Sequence, residues 1–184
     1  QFFWFMQKGP PLSNLASMRL ADPIKDLGLD LSSEQKTKLV KFSKVLLQWN
    51  KKTNLIARGD ETRVFPRHIL DSLAAASFLV GDKVFDIGSG AGLPGLPLAI
   101  ACPQKKFTLC DRMKKRTHFM RFVIANLGID NAEVIEAPIE EIVSMGKSYD
   151  CVVSRGVGRA ADLWPIIESV IAKTGRLIVY ASTQ

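Results

Sequence analysis

Apolar and polar positions alternate along this chain in two rhythms, and the change near residue 80 divides it. Before that point the spacing is helical. Leu39, Phe42, Leu46 and Trp49 fall on one face while Lys36, Lys38, Lys41 and Lys44 lie elsewhere, which predicts an amphipathic helix capped by Ser32 or Ser33 and packed on the main domain. A second helix is predicted over residues 64–79, with Arg67, His68, Asp71 and Ser72 on adjacent turns. From Lys83 onward short apolar runs alternate with helical ones. Strands are predicted at 83–87, 106–110, 133–136, 149–153 and 176–181, with helices at 95–101, 114–127, 138–145 and 161–172. Such alternation implies an α/β fold, a doubly wound and mainly parallel sheet, with an N-terminal helical appendage. The division expected is an atypical stretch at 1–17, a helical segment at 18–80 and an α/β core at 81–184. Ligands of such sheets bind outside the carboxyl ends of the strands, where Asp86, Asp111, residues 136–140 and Ser154-Arg155 would converge.

The first strand and its helix are joined by Asp86-Ile87-Gly88-Ser89-Gly90-Ala91-Gly92-Leu93-Pro94-Gly95-Leu96-Pro97. Alternate glycines let the backbone turn through positive φ and approach a ligand closely, and the helix behind them presents free N–H groups. The string Gly90-x-Gly92-x-x-Gly95 also satisfies the dinucleotide fingerprint, so spacing alone separates no cofactor from another. The neighbouring acids do discriminate. Asp86 is expected to project toward the loop, where a pyrophosphate would meet another anion, whereas the ammonium and sulfonium of S-adenosylmethionine suit an acid. Asp111 closes the second strand and can accept hydrogen bonds from both hydroxyls of a ribose. The pair favours the methyl donor over a dinucleotide.

Composition narrows the partner class. The 184 residues are 47% hydrophobic, enough for one domain with a sizeable core. Lysine and arginine number 25 against 18 acids, a net charge of +7, which favours an anionic partner. Cys102, Cys110 and Cys151 are odd in number and set in apolar contexts, so they read as buried core thiols of a reducing compartment. His68 and His118 supply no metal-ligand spacing, and no metal is expected. Phe2-Phe3-Trp4-Phe5-Met6 lacks a basic leader and is followed by Lys8-Gly9-Pro10-Pro11, the pattern of neither a membrane span nor a signal peptide.

Several motifs in register resemble one family, the small-subunit (16S) ribosomal RNA guanine-N7 methyltransferases, first named glucose-inhibited division protein B. They are the loop from Asp86 to Pro97 with both prolines, Arg67-His68-Ile69-Leu70-Asp71-Ser72, Trp49-Asn50-Lys51-Lys52-Thr53-Asn54-Leu55, Asp111-x-x-x-Lys115-Arg116 and Val153-Ser154-Arg155. The resemblance covers residues 29–181. It implies a class I S-adenosylmethionine-dependent methyltransferase with a Rossmann-like sheet, acting in the cytoplasm as a monomer on ribosomal RNA or the small subunit, away from any membrane. It places cofactor contacts on Gly88 and Leu93 in the loop, Ile139 and Glu140 after the third strand, and Arg155 after the fourth, beside Asp86, Gly90, Gly92 and Asp111. The family continues past the fifth strand with a further pair of strands, which are expected to be lacking here.

Methyl transfer to guanine N7 needs no general base, because that nitrogen carries a lone pair and no proton. Arg155 is the leading catalytic candidate, able to bind the methionine carboxylate or the guanine O6 edge. Arg67, His68 and Asp71 read equally as an ion pair with a packing histidine or as functional groups, and the resemblance favours holding RNA or closing the site. Glu140 is either a cofactor ligand or a first-turn helix acid. Basic clusters at Lys51-Lys52, Arg58, Arg63 and Arg67, and from Arg112 through Lys114-Lys115-Arg116, flank the expected pocket as an RNA-phosphate footprint would. The competing readings are a methyltransferase with a non-RNA substrate, a dinucleotide-dependent oxidoreductase and a non-catalytic RNA-binding factor.

Overall fold

A computed structural model describes residues 21–180; the atypical stretch at 1–17 lies outside the described residues. The elements are α1 (Ala21–Asp26), α2 (Ser33–Thr53), α3 (Asp71–Leu73), β1 (Lys83–Ile87), α4 (Gly95–Ala101), β2 (Lys106–Asp111), α5 (Lys114–Leu127), β3 (Ala132–Glu136), α6 (Ile139–Ser144), β4 (Tyr149–Arg155), α7 (Ala160–Ile167) and β5 (Ile171–Tyr180). The five strands are all parallel, in the order β3-β2-β1-β4-β5. This is the expected doubly wound α/β sheet, and its order reverses direction between β1 and β4.

Helix α2 starts where the sequence places its cap. Ser32 Oγ accepts from Gln35 N at 3.2 Å while Gln35 Oε1 accepts from Ser32 N at 2.8 Å, a reciprocal capping box. The other end of the same Gln35 amide donates to the carbonyls of Ile100 and Ala101 at 2.9 and 3.1 Å. One side chain thus satisfies orphan groups at the start of α2 and the end of α4 and clamps the two helices together.

Residues 64–79 do not form the single helix that the spacing predicts. A 3-10 turn over Arg58–Arg63 leads into a π-helical stretch over Val64–Leu70, the single α turn of α3, and another 3-10 turn over Ala76–Phe78. Local hydrogen bonds change the step here. Ser72 Oγ takes the His68 carbonyl at 2.5 Å, and the Ala74 N–H is shared between the carbonyls of Leu70 and Asp71. The predicted helix at 161–172 also stops early, at Ile167, because Val170 N–H closes a turn on Ile167 O. The Val170 carbonyl then accepts from Tyr149 N and draws Ile171 onto the sheet, so β5 begins five residues before the pattern places it, at 171 rather than 176. Its register on β4 jumps between the Tyr149–Ile171 and Cys151–Arg176 pairs, a bulge that hides its alternation.

Both faces of the sheet are covered. On one, Leu39, Phe42 and Leu46 of α2 join Leu96 and Leu98 of α4 and Phe119 and Met120 of α5 over Val84, Leu109 and Val153. On the other, Ile142 of α6 and Ile167 of α7 cover Phe85, Ile87 and Val152. The N-terminal helix therefore shares its core with the sheet; Cys102 and Cys151 are buried free thiols within that core and Cys110 is one in the core on the opposite face, all three buried as read from the sequence. Phe42 and Phe119 are both fully buried with ring centroids 6.4 Å apart. Phe42→Ala should lower the free energy of unfolding by about 3–5 kcal/mol in urea denaturation; a loss under about 1 kcal/mol would show that α2 docks on the sheet without supporting it.

Candidate functional site

At the point where strand order reverses, the segments following β1, β2, β3 and β4 surround a cleft of about 510 Å³. A volume of this size lies within the range of small-molecule sites. Gly88, Gly90 and Leu93 line it from the glycine loop, Asp111 from β2, Ile139 and Glu140 from α6, and Arg155 from β4. Seven of the nine predicted cofactor positions, with Arg155 counted among them, line this cleft. Asp86 and Gly92 are the exceptions to cleft lining.

Asp86 does not point into the opening. It is fully buried beneath the loop, where its Oδ2 accepts from Gly95 N at 2.9 Å. The reason is the geometry of a parallel strand feeding a helix: the first N–H of α4 lies directly over the end of β1, and an acid there caps it. A Cβ on Gly95 would lie 2.5 Å from that carboxylate, so glycine is what permits the approach. The loop in between turns through positive φ at Gly88, Gly90 and Gly92, the last backed by Leu96 rather than facing the cleft. Burial pushes the Asp86 carboxyl up to about 7, against the opposing pull of the Gly95 hydrogen bond and the Arg155 charge. Its Oδ1 has no hydrogen-bond partner.

Ser89 stitches the loop to the neighbouring strand, its hydroxyl donating to Asp86 O at 2.9 Å and accepting from Cys110 N at 3.1 Å. Asp111 is the second anchor. Its Oδ2 accepts from Gly90 N at 3.0 Å and from Arg116 at 3.3 Å, and its Oδ1 accepts from Met113 N at 2.8 Å. A carboxylate has about four acceptor positions, so one remains for a ribose hydroxyl while Arg116 stays in place. The cleft thus offers carboxylates at Asp111 and Glu140 and guanidinium groups at Arg112, Arg116 and Arg155. That donor and acceptor set fits a ligand carrying an ammonium, a carboxylate and a ribose.

Arg155 is largely buried, and its guanidinium lies 3.7 Å from Asp71 Oδ2. Arg67 and His68 are not in the cleft wall. Both turn to Asp60, Arg67 Nε at 3.2 Å and His68 Nε2 at 3.5 Å, so the Arg67–Asp71 pairing suggested by their spacing is not formed. Burial, reinforced by the Arg155 charge, pulls the His68 imidazole down to about 4. The hydroxyl of Tyr180 at the end of β5 donates to Ser72 O at 2.6 Å and ties this cluster to the sheet.

The sequence pattern misses Leu55 and Ile56, which line the cleft from the N-terminal segment. Buried Asn50 holds them there: its Oδ1 accepts from Ile56 N at 2.9 Å and its amide donates to Glu61 at 2.6 Å, across the left-handed turn at Asn54. A buried polar residue on the apolar face of a helix is the only local signal. Asp60, which gathers Arg67 and His68, carries none.

Comparison with known proteins agrees with this geometry. The rRNA small subunit methyltransferase G family matches residues 35–184. The chain is 36% identical over 160 residues to the ribosomal RNA small subunit methyltransferase G of Methylococcus capsulatus, covering 83% of this chain and 78% of that protein. It is 38% identical over 145 residues to the protein of the same name from Escherichia coli, covering 79% of this chain and 70% of the relative. Among solved structures, a methyltransferase from Geobacter sulfurreducens has a similar fold, with a TM-score of 0.57 at 18% identity over 76% of this chain and 69% of the other.

Between its usual carboxyl value of 3.8 and about 7, folded Asp86 keeps a proton that the unfolded chain has released. Its contribution to stability is therefore lost as pH rises through that window. Relative to Asp86→Asn, the unaltered chain should lose stability on going from the acid to the neutral end of the window, measured by urea titration at each pH. A difference independent of pH would mean that Asp86 is ionised in the fold throughout.

Proposed function

The chain belongs to the rRNA small subunit methyltransferase G family, and from this membership we propose that it transfers the methyl group of S-adenosylmethionine to N7 of a guanine in small-subunit (16S) ribosomal RNA. The observation that carries the reading is the acid-anchored glycine loop opening onto a cleft at the strand-order switch, within a chain matched by that family along most of its length.

The bound cofactor supplies an activated methyl group on a sulfonium. Gly88, Gly90 and Leu93 would hold its amino-acid end, Asp111 its ribose, and Ile139 and Glu140 its adenine side. Asp86 and Gly92 act one step removed, by fixing the shape of the loop. Because N7 has no proton to lose, the residues need only position the two reactants and stabilise the charge that moves from one to the other. Arg155, from its place in the cleft wall, binds the methionine carboxylate or the O6 edge of the guanine. Asp71 orients it. Arg67 is exposed and can meet a phosphate, whereas His68, neutral at neutral pH, serves as packing behind it. All these groups come from one chain, so a monomer suffices, and the cytoplasm is where ribosomal subunits are met.

Labelled S-adenosylmethionine should modify one guanine when incubated with small subunits, or with deproteinised RNA, from a bacterium lacking the modification. Borohydride and aniline cleavage identifies an N7-methylated site. Label on an amine or a pyrimidine would replace this assignment, and no label with either RNA form would remove it.

Arg155→Ala should lower kcat/KM by about 100-fold or more while leaving the thermal midpoint close to that of the parent; retained turnover would show that the guanidinium has no part in the reaction. Affinity for RNA should fall steeply with salt. Lys115→Ala should reduce the slope of log affinity against log salt by about 0.7, the share of one phosphate contact on a single strand.

A further inference from the structure

Helices α2 and α5 build a surface outside the cleft that has no part in holding the methyl donor. They run in opposite directions: Lys38 Nζ, near the start of α2, donates to Gly128 O just past the end of α5 at 2.9 Å, while Trp49, near the end of α2, packs on the first half of α5. The ring of Trp49 lies between those of His118, Phe119 and Phe122, at centroid separations of 5.5, 5.4 and 5.2 Å. Phe119 belongs to the core. His118 and Phe122 do not, and Phe122 is 41% exposed.

The cationic residues around this cluster lead toward the cleft. Lys52 is one turn beyond Trp49 and Lys115 one turn before His118, both exposed and neither in an ion pair among the described residues. The next positions in the same direction are Leu55, Ile56, Arg112 and Arg116, which line the cleft itself. Helix α5 opens on Lys114-Lys115-Arg116 with no acid in its first turn and no side-chain cap, an arrangement unfavourable to the helix dipole and so poorly explained by helix stability. The nearest acids are already engaged, Asp111 by Arg116 and Glu136 by Thr117 and Arg121.

Exposed aromatic faces flanked by unpaired cations are the two elements that single-stranded nucleic acids require, stacking for the bases and charge for the phosphates. Resting on the RNA substrate argued above, we propose that the single-stranded RNA next to the target guanine leaves the cleft along this surface, with a base stacked on His118 and Phe122 and its phosphates on Lys52 and Lys115. A duplex keeps its bases inside the helix and would meet the lysines alone. An acidic protein segment would match the lysines but carries no bases to stack on the aromatic faces.

The test is anisotropy of a fluorescein-labelled oligouridylate, and of an RNA duplex of equal length, with the full chain and with His118→Ala/Phe122→Ala. Both replaced side chains are exposed, so the fold is expected to persist, and unchanged calorimetric binding of S-adenosylmethionine checks it. The double variant should bind the single strand about 5- to 100-fold more weakly and the duplex unchanged. Phe122→Tyr should keep parental affinity. Equal single-strand affinity, or an equal loss on the duplex, overturns the platform. If the unaltered chain methylates subunits while the double variant binds RNA fully, only this inference falls; if it neither methylates nor binds, the functional reading falls with it.

Discussion

The hydrogen bond from Gly95 N to the buried carboxylate of Asp86 is the constraint on which the site depends. It joins the end of the central strand to the first residue of α4, and that short span leaves the loop one tight path, through three residues of positive φ. Ser89 then binds the loop to β2 through its hydroxyl, its backbone N–H donating to the Cys110 carbonyl at 2.9 Å. The floor of the cleft is thus shaped by the protein's own hydrogen bonds before any ligand arrives, which removes part of the ordering penalty of binding. Burying a carboxyl to achieve this is expensive, and the rise of its pKa to about 7 reflects that expense.

Charge around the cleft is arranged in layers. Asp86 lies beneath, Asp111 and Arg155 form the walls, and the cations of α5 and the end of α2 stand at the rim. Each wall group is held by an opposite charge, Asp111 by Arg116 and Arg155 by Asp71, so neither is an isolated ion in a partly buried place. The rim lysines have no such partner among the described residues, which leaves their charge available to a polyanion. The interior of the site can therefore hold a small zwitterionic molecule while its edge attracts RNA, with the two functions separated by a few residues.

The N-terminal segment unites these layers. Helix α2 gives its apolar face to the same core that supports β1, β2 and β4, its Gln35 closes α4, and its Asn50 sets Leu55 and Ile56 into the cleft wall. A disturbance of α2 would reach core, cleft and rim together, because no second core stands between them and the sheet.

Much of this was determined by local sequence. Short apolar runs closed by acids, the glycine loop, the serine cap of α2 and the basic start of α5 each express their physics within a few residues, so the parallel doubly wound sheet, the place of the cleft and most of its lining were legible. Several motifs in register even pointed to the family. Tertiary structure decided what depends on distant partners: that Asp86 turns under the loop to Gly95, that Arg67 and His68 meet Asp60 instead of Asp71, and that Asn50 faces Ile56 and Glu61. It also broke the helix expected at 64–79 and started β5 early, since side chains and neighbouring strands claimed carbonyls that periodicity assigns to a regular helix. Hydrophobic spacing records which face of an element is buried; it does not record which polar group waits on the other side.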